Sequence, residues 1–314
     1  MFQILNLKGT VDFLKHAKFV SVLSVVLMLA SFASLGIKGM NWGLDFTGGT
    51  VVEIGYDAAT SPSEVRQALE AEGIDGAVVQ QFGSARDILV RVPPREGSGN
   101  ELVASVEAAA KAVSDGSVVK RVEFVGPQVG QELQEQGGLA VIAAVICILM
   151  YVAFRFEWRL AVGSVAALVH DVVLTLGVFS FFQLEFDLTV LAAVLAVVGY
   201  SLNDTIVVFD RVRENFIKMR KGTPEHVVNT SVTQTMSRTI ITTGTTLFVV
   251  ISLFILGGTM IHGFATALLL GIAVGTYSSI YVASYTSIRL GITKEHMMPV
   301  VIEKEGADQD PLMP

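Results

Sequence analysis

Six runs of about twenty apolar residues dominate this chain, each long enough as a helix to cross a hydrocarbon core of about 30 Å at 1.5 Å per residue. They are Phe19–Ile37, Gly138–Phe154, Leu160–Phe182, Leu188–Phe209, Thr239–Gly257 and Ile261–Ile288. The first follows Lys8, Lys15 and Lys18 in the manner of a signal peptide. It is longer than a signal core of roughly 7–15 residues, and no small-x-small cleavage pattern follows it, so it reads as a retained span. Composition agrees, since 16% charged residues falls below the roughly 25% of soluble domains. The lone cysteine, Cys147, sits inside a run and provides no disulfide framework.

Basic residues in the short connections set the expected orientation. Lys8, Lys15 and Lys18 precede the first span, and Arg155 and Arg159 follow the second. Arg211, Arg213, Lys218, Arg220 and Lys221 follow the fourth, and Arg289, Lys294 and Lys304 follow the sixth. The turns Gln183–Asp187 and Gly257–Met260 contain no basic residue. Both termini are therefore expected in the cytoplasm. The division that follows is a cytoplasmic segment 1–18, a first span 19–37 and an extracytoplasmic domain 38–136. Spans two to six occupy 137–290 with a cytoplasmic loop 210–237, and an acidic cytoplasmic tail covers 291–314.

The segment Lys38–Gln136 carries fifteen acidic and eight basic residues. Thr50–Tyr56 reads as a strand. Ser61-Pro62-Ser63-Glu64 combines a Ser cap, Pro at the first helical position and Glu three residues after the cap, which marks a helix start. That helix runs through Glu72 and stops at Gly73. Ala77–Phe82 and Asp87–Val92 form a hairpin across Gly83–Arg86, Asn100–Val113 is an amphipathic helix, and Val118–Val125 is a closing strand. The order βαββαβ is ferredoxin-like. The expected fold is thus a polytopic α-helical membrane protein of six spans with a small α+β domain outside.

No P-loop, HExxH, CxxC or GxSxG motif is present, the histidines lack metal-ligand spacing, and the basic residues form no stacking-lined nucleic-acid patch. No catalytic residue, metal site or cofactor is expected. The ionisable residues at membrane depth stand out, because charges there are costly and usually face the bundle interior or a wet path. Asp204 lies about 7.5 Å along the helix from the end of the fourth run. Arg238 opens the fifth from the same side, so the two have similar depth. Burial opposes ionisation and an adjacent cation favours it; a carboxylate balanced between the two is suited to binding and releasing a proton. Arg238 can equally snorkel as an anchor. Asp171, beside His170 in the third run, is a second candidate, with a hydrogen bond to a neighbouring helix as the alternative reading. Ala192, Ala196, Gly199 and Asn203 form a ridge of small or polar residues along the fourth run, and Gly271 and Gly275 a GxxxG in the sixth.

Five segments carry a family resemblance: Gly43-Leu44-Asp45-Phe46-Thr47-Gly48-Gly49-Thr50, Val125-Gly126-Pro127-Gln128-Val129-Gly130, His170-Asp171-Val172, Gly199-Tyr200-Ser201-Leu202-Asn203-Asp204-Thr205 continuing into Phe209-Asp210-Arg211-Val212-Arg213-Glu214-Asn215, and Ser237-Arg238-Thr239. On these the chain resembles the SecF family, the smaller membrane subunits of the bacterial SecD–SecF export complex within the resistance-nodulation-division superfamily. The resemblance implies a multi-pass protein of the bacterial cytoplasmic (inner) membrane that is a transport subunit and not an enzyme. It implies work with SecD beside the SecYEG channel, late in preprotein translocation and driven by the transmembrane proton gradient. It places Asp204 and Arg238 in the proton path, with the other carboxylate supplied by SecD. A half-size proton-driven efflux transporter of the same superfamily is the alternative.

Overall fold

The computed structural model describes residues 9–95, 99–219 and 222–297. Lys8, Arg220, Lys221, Lys304 and most of the tail 291–314 lie outside the described residues. Each apolar run is helical, and among the described residues six helices are long and apolar enough to cross a membrane. They are α1 (Ala17–Lys38, preceded by a 3₁₀ turn Phe13–His16), α5 (Pro127–Arg155), α6 (Trp158–Phe182), α7 (Leu188–Lys218), α8 (Pro224–Leu256) and the span Met260–Arg289. The last is built from α9 (Gly258–Ser278), a π-helical turn Ser279–Ala283 and α10 (Ser284–Arg289).

Several helices outrun their apolar stretches, because their ends are set by caps and not by hydrophobicity. Pro127 starts α5 at the first helical turn, where its fixed φ suits the helix and its missing N–H costs nothing. Thr223 caps α8 by accepting the His226 N–H at 3.3 Å, with Pro224 following. The segment 210–237, read as a loop, is consequently the continuation of α7 to Lys218 and the start of α8 at Pro224. Buried Asn215 ties the two, donating to Ser231 Oγ at 2.8 Å and Gln234 Oε1 at 3.1 Å.

Helices α6, α7 and α9 form the centre of the bundle. Half of the most apolar window of α6 and of α7 is buried, against 6% for α5 and 17% for α8. Gly271 and Gly275 permit the close approach of α9 to α7: they face Val197 and Ser201, and a Cβ at Gly275 would lie 3.0 Å from the Ser201 Cβ.

Between α1 and α5 the chain forms the α+β domain. After the short strand β1 (Asn41–Trp42) and a single turn α2 (Leu44–Thr47) come β2 (Gly49–Gly55), α3 (Pro62–Ala71), β3 (Val78–Phe82), β4 (Ser84–Val92), α4 (Gly99–Val113) and β5 (Val118–Val125). The sheet order is β3-β4-β2-β5, antiparallel throughout, which is the ferredoxin-like arrangement expected. Ser61 caps α3, although its hydroxyl receives the Ser63 N–H at 3.3 Å while the Glu64 N–H goes to the Ser61 carbonyl at 3.1 Å. The hairpin is tighter than expected: β4 begins at Ser84, and Gly83 turns the chain at φ +74°. One sheet face packs on α3 and α4 through Val52, Ile54, Val65, Leu69, Ile88, Val90 and Val106. This separate core carries an expectation for the excised fragment 45–126: a cooperative urea transition and a mixed α/β circular dichroism spectrum. Ile88, fully buried, should lose about 2–5 kcal/mol on Ile88→Ala, a large part of the roughly 5–15 kcal/mol of a domain. A helix-only spectrum would contradict the assignment.

Candidate functional site

Two regions gather the residues singled out by sequence. The first is a polar centre inside the bundle. Asp171 of α6 is 1% exposed. Its Oδ2 accepts from Ser201 Oγ of α7 at 2.5 Å and from Ser278 Oγ of α9 at 2.8 Å, and its Oδ1 lies 2.9 Å from His170 Nδ1. The carboxyl group therefore links the three central helices through two serine hydroxyls that donate to it. The His170 ring lies beside Tyr277, centroids 6.0 Å apart, and Tyr277 Oη meets Ser24 Oγ of α1 at 2.8 Å. Buried His170 Nε2 has no hydrogen-bond partner among the described residues.

Asp204 lies three residues after Ser201, on the same face of α7 one turn further along. It is 3% exposed, and its Oδ2 is buried with no hydrogen-bond partner among the described residues. Arg238 of α8 is exposed. Its charge acts electrostatically on Asp204, but none of the ion pairs among the described residues joins them. The structure thus brings the two within electrostatic reach and not into contact. The two carboxylates differ sharply: Asp171 is saturated by protein donors, whereas Asp204 keeps an oxygen free.

The faces of α7 are as distinct. Val194, Val197, Ser201 and Asp204 are buried, while the ridge Ala192, Ala196, Gly199 and Asn203 is exposed along the helix. Several threonines in the polar half of α8 bond locally or across the bundle. Thr242 and Thr246 donate to carbonyls one turn back at 3.0 and 2.9 Å, and Thr243 meets Thr276 of α9 at 3.2 Å.

The second region joins the α+β domain to the bundle. Strand β1 pairs in parallel with β6 (Glu185–Phe186), which lies in the turn between α6 and α7. The Gly43 N–H donates to the Phe186 carbonyl at 2.8 Å. A Cβ on Gly43 would lie 2.9 Å from that of Asp187, so the approach requires glycine. Asp45 Oδ2 accepts the Leu188 N–H at 3.0 Å and Asp187 Oδ1 the Val190 N–H at 2.8 Å. Two carboxylates thus cap the N-terminus of α7, where negative charge is favoured. Phe46 packs with Trp42 and Phe186, ring centroids 5.5 and 6.2 Å away. Gly48 and Gly49, at φ +65° and +116°, turn the chain into β2 in the left-handed region that favours glycine.

Arg91 of β4 reaches from the sheet to this junction. Its Nη2 lies 2.6 Å from Glu185 Oε1, and its Nη1 donates to the Trp42 carbonyl at 2.7 Å. Burial pushes the Glu185 carboxyl above the usual range, Asp187 and Asp45 add to this, and Arg91 opposes it. Inside the domain, burial pushes the Tyr56 hydroxyl up to about 12.

On the opposite side of the bundle, Arg155 Nη2 pairs with Asp210 Oδ1 at 2.5 Å, and Arg211 Nη1 with Glu214 Oε2 at 2.8 Å. Arg213 is exposed. No group of three His, Cys, Asp or Glu among the described residues could hold a metal ion. Sequence reasoning missed Ser201 and Ser278 as the partners of Asp171, and Arg91 with Glu185 at the junction. The nearest signal for the first pair was the polar stretch Thr276–Ser279 inside an otherwise apolar run. An Arg91 flanked by valines in a strand carries no signal of its own.

Residues 105–292 match the family "Protein export membrane protein SecD/SecF, C-terminal", and residues 33–60 match the "SecD/SecF GG Motif". The chain is 59% identical over 312 residues to the protein translocase subunit SecF of Vibrio alginolyticus, covering 99% of each. It is 48% identical to that of Escherichia coli O157:H7, over 96% of this chain and 95% of the relative. A crystal structure of SecDF from Thermus thermophilus, described as a translocon-associated membrane protein, superposes with a TM-score of 0.83 at 37% identity. That alignment covers 91% of this chain and 39% of the solved one, so the chain spans about two-fifths of the SecDF polypeptide. This six-span membrane protein, built for protein export, belongs to the SecF family of protein translocase subunits.

Proposed function

We propose that the chain works as the SecF-type half of a complex with SecD, using the transmembrane proton gradient to promote the late stages of preprotein translocation through SecYEG. Both termini then lie in the cytoplasm and the α+β domain outside, as the basic connections favour. The observation that carries the reading is the setting of Asp204: a buried carboxylate with one oxygen unpartnered among the described residues, near an arginine that forms no ion pair among them, and beside a ridge of small residues left exposed. Small residues let helices approach closely, and a second six-span subunit seated on that ridge would bring its own groups against Asn203, one residue from Asp204. Asp171, saturated by donors, holds the helices in register around it.

Purification of the tagged chain from native membranes tests the assembly: SecD and the SecYEG channel should accompany it. A solitary homo-oligomer would instead favour the half-size efflux reading. Beyond its chain neighbours and its own helical backbone, a Cβ placed on Gly199 would meet no atom of the described residues within 4 Å, so Gly199→Leu should leave this chain's own fold intact. On the ridge it should lower SecD recovery by about tenfold or more, equivalent to about 1.4 kcal/mol. Undiminished recovery would place SecD elsewhere. The orientation is checked by a single cysteine at position 95 on a Cys147-free background. An impermeant reagent should label it in intact spheroplasts; labelling only after lysis would invert the topology.

A further inference from the structure

The α+β domain is tied to the bundle through β1 on β6, through α2 against α5 and the sheet, and through one arginine of the sheet. The sheet face away from α3 and α4 carries a small apolar cluster of Val51 and Leu89 against Leu44 of α2. Arg91 lies on that same face, since alternate residues of a strand share a side. Its guanidinium spans β1 and β6 together. One nitrogen donates to the Trp42 carbonyl at 2.7 Å and the Asn41 Oδ1 at 3.4 Å; the other forms an ion pair with Glu185 at 2.6 Å, without hydrogen-bond alignment, and Nε has no partner among the described residues. The arginine side chain keeps 14% of its surface accessible and the glutamate 30%, so the pair is only partly screened by water. Removing one partner of such a pair leaves the other charged and poorly solvated, which costs far more than the loss of an exposed surface pair.

What Arg91 grips is itself rigid. The parallel pairing of β1 with β6, the Asp45 cap on α7 and the stacked rings of Phe46 and Phe186 make the junction one block with the α6–α7 turn. Beside this block a cleft of about 460 Å³ separates the sheet from the bundle, lined by Glu53, Gln81, Arg121, Glu185, Asp187 and His262 among others. The sheet therefore stands over an open space and is held in place by its chain connections into β2 and from β5 to α5, by the Leu44 cluster and by the arginine.

We infer that Arg91 is a positioning residue that fixes the orientation of the α+β domain relative to α6 and α7, with Glu185 as its counter-charge. A shift of α7, the helix that carries Asp204, moves the β6 turn at its N-terminus. The fork transmits that shift to the sheet. A planar guanidinium suits the task because its rigid fork aims separate nitrogens at a carbonyl and a carboxylate, a geometry that a freely rotating ammonium does not fix. The inference rests on the export reading for its purpose and on geometry alone for the strut.

The test uses the full chain in its complex with SecD, reconstituted into lipid, with Cys147→Ala and spin labels on Glu70→Cys of α3 and Met260→Cys beside the α6–α7 turn. Pulsed dipolar spectroscopy should give one narrow distance distribution. Arg91→Ala should broaden or displace it, Arg91→Lys should do so less, and the exchanged pair Arg91→Glu with Glu185→Arg should recover part of the narrowing. Hydrogen exchange of the β2 and β4 amides should stay as slow as in the parent protein. An unchanged distribution in Arg91→Ala, an unrescued exchange, or fast exchange throughout the sheet would each overturn the strut. None of these readouts depends on gradient-driven translocation, so failure here is distinguishable from failure of the export reading.

Discussion

Asp171→Ala is expected to lower the thermal unfolding midpoint of the bundle by several degrees and to lower the steady-state level of the protein in membranes. The substitution removes the acceptor for Ser201, Ser278 and His170 at once. Single hydrogen bonds between membrane helices average only about 0.6 kcal/mol, because the separated helices also find partners. Three lost together amount to about 2 kcal/mol, and the small cavity left at a fully buried site adds to this. Asp171→Asn keeps a carbonyl oxygen for the two serines, and its amide can donate to His170 Nδ1 once the imidazole carries its proton on Nε2. It should lose less than half as much. The check is the thermal unfolding midpoint of the purified complex in one detergent. Equal midpoints for Asp171→Ala and the parent would remove Asp171 from its role as the link between α6, α7 and α9.

Asp204→Asn is expected to do the opposite: to leave folding and assembly with SecD intact and to abolish gradient-driven work. The amide preserves shape and size but cannot lose a proton. Because Asp204 Oδ2 has no protein donor among the described residues, no hydrogen bond of the native network is broken by the change. A membrane potential of 100 mV is worth about 2.3 kcal/mol per charge carried across. That energy reaches the domain only if proton transfer is obligatory in the cycle. Arg238 acts on Asp204 through its charge and not through an ion pair. Arg238→Lys keeps the charge and should retain much of the activity, whereas Arg238→Ala should lose nearly all of it. Pulse-chase export of a slowly translocated preprotein in cells carrying each variant reads the order. If Arg238→Lys were as defective as Arg238→Ala, the planar fork and not the charge would be required.

How much of this was legible in the sequence depends on the range of the interactions involved. The six spans rest on local hydrophobicity, and each run is helical. Their ends were misplaced where apolarity stopped before the helix did: Pro127, Thr223 and Pro224 are the actual boundary signals. The ferredoxin-like domain was readable because Ser61-Pro62, the two amphipathic helices and the alternating strands are all short-range patterns. The hairpin was drawn too wide because a single glycine, Gly83, suffices for the turn. Both intramembrane carboxylates stood out as charges in apolar runs. What separates them could not be read locally, since the hydroxyls that saturate Asp171 come from residues 30 and 107 positions away. The Arg91 fork is equally long-range, joining β4 to a turn ninety-four positions on, 185 against 91. The motif glycines and Asp45 were visible as a segment, while their use in docking the domain and capping α7 emerges only from tertiary pairing.

The central claim is that protonation and deprotonation of Asp204 couple the gradient to export. Its most direct test is preprotein translocation into inverted membrane vesicles containing normal amounts of SecD and SecYEG, with and without an imposed proton gradient. Parent vesicles should complete late translocation faster when the gradient is present. Asp204→Asn vesicles with equal complex levels should proceed at one rate whether the gradient is present or collapsed. Full gradient stimulation in those vesicles would contradict the claim and leave Asp204 as a packing residue.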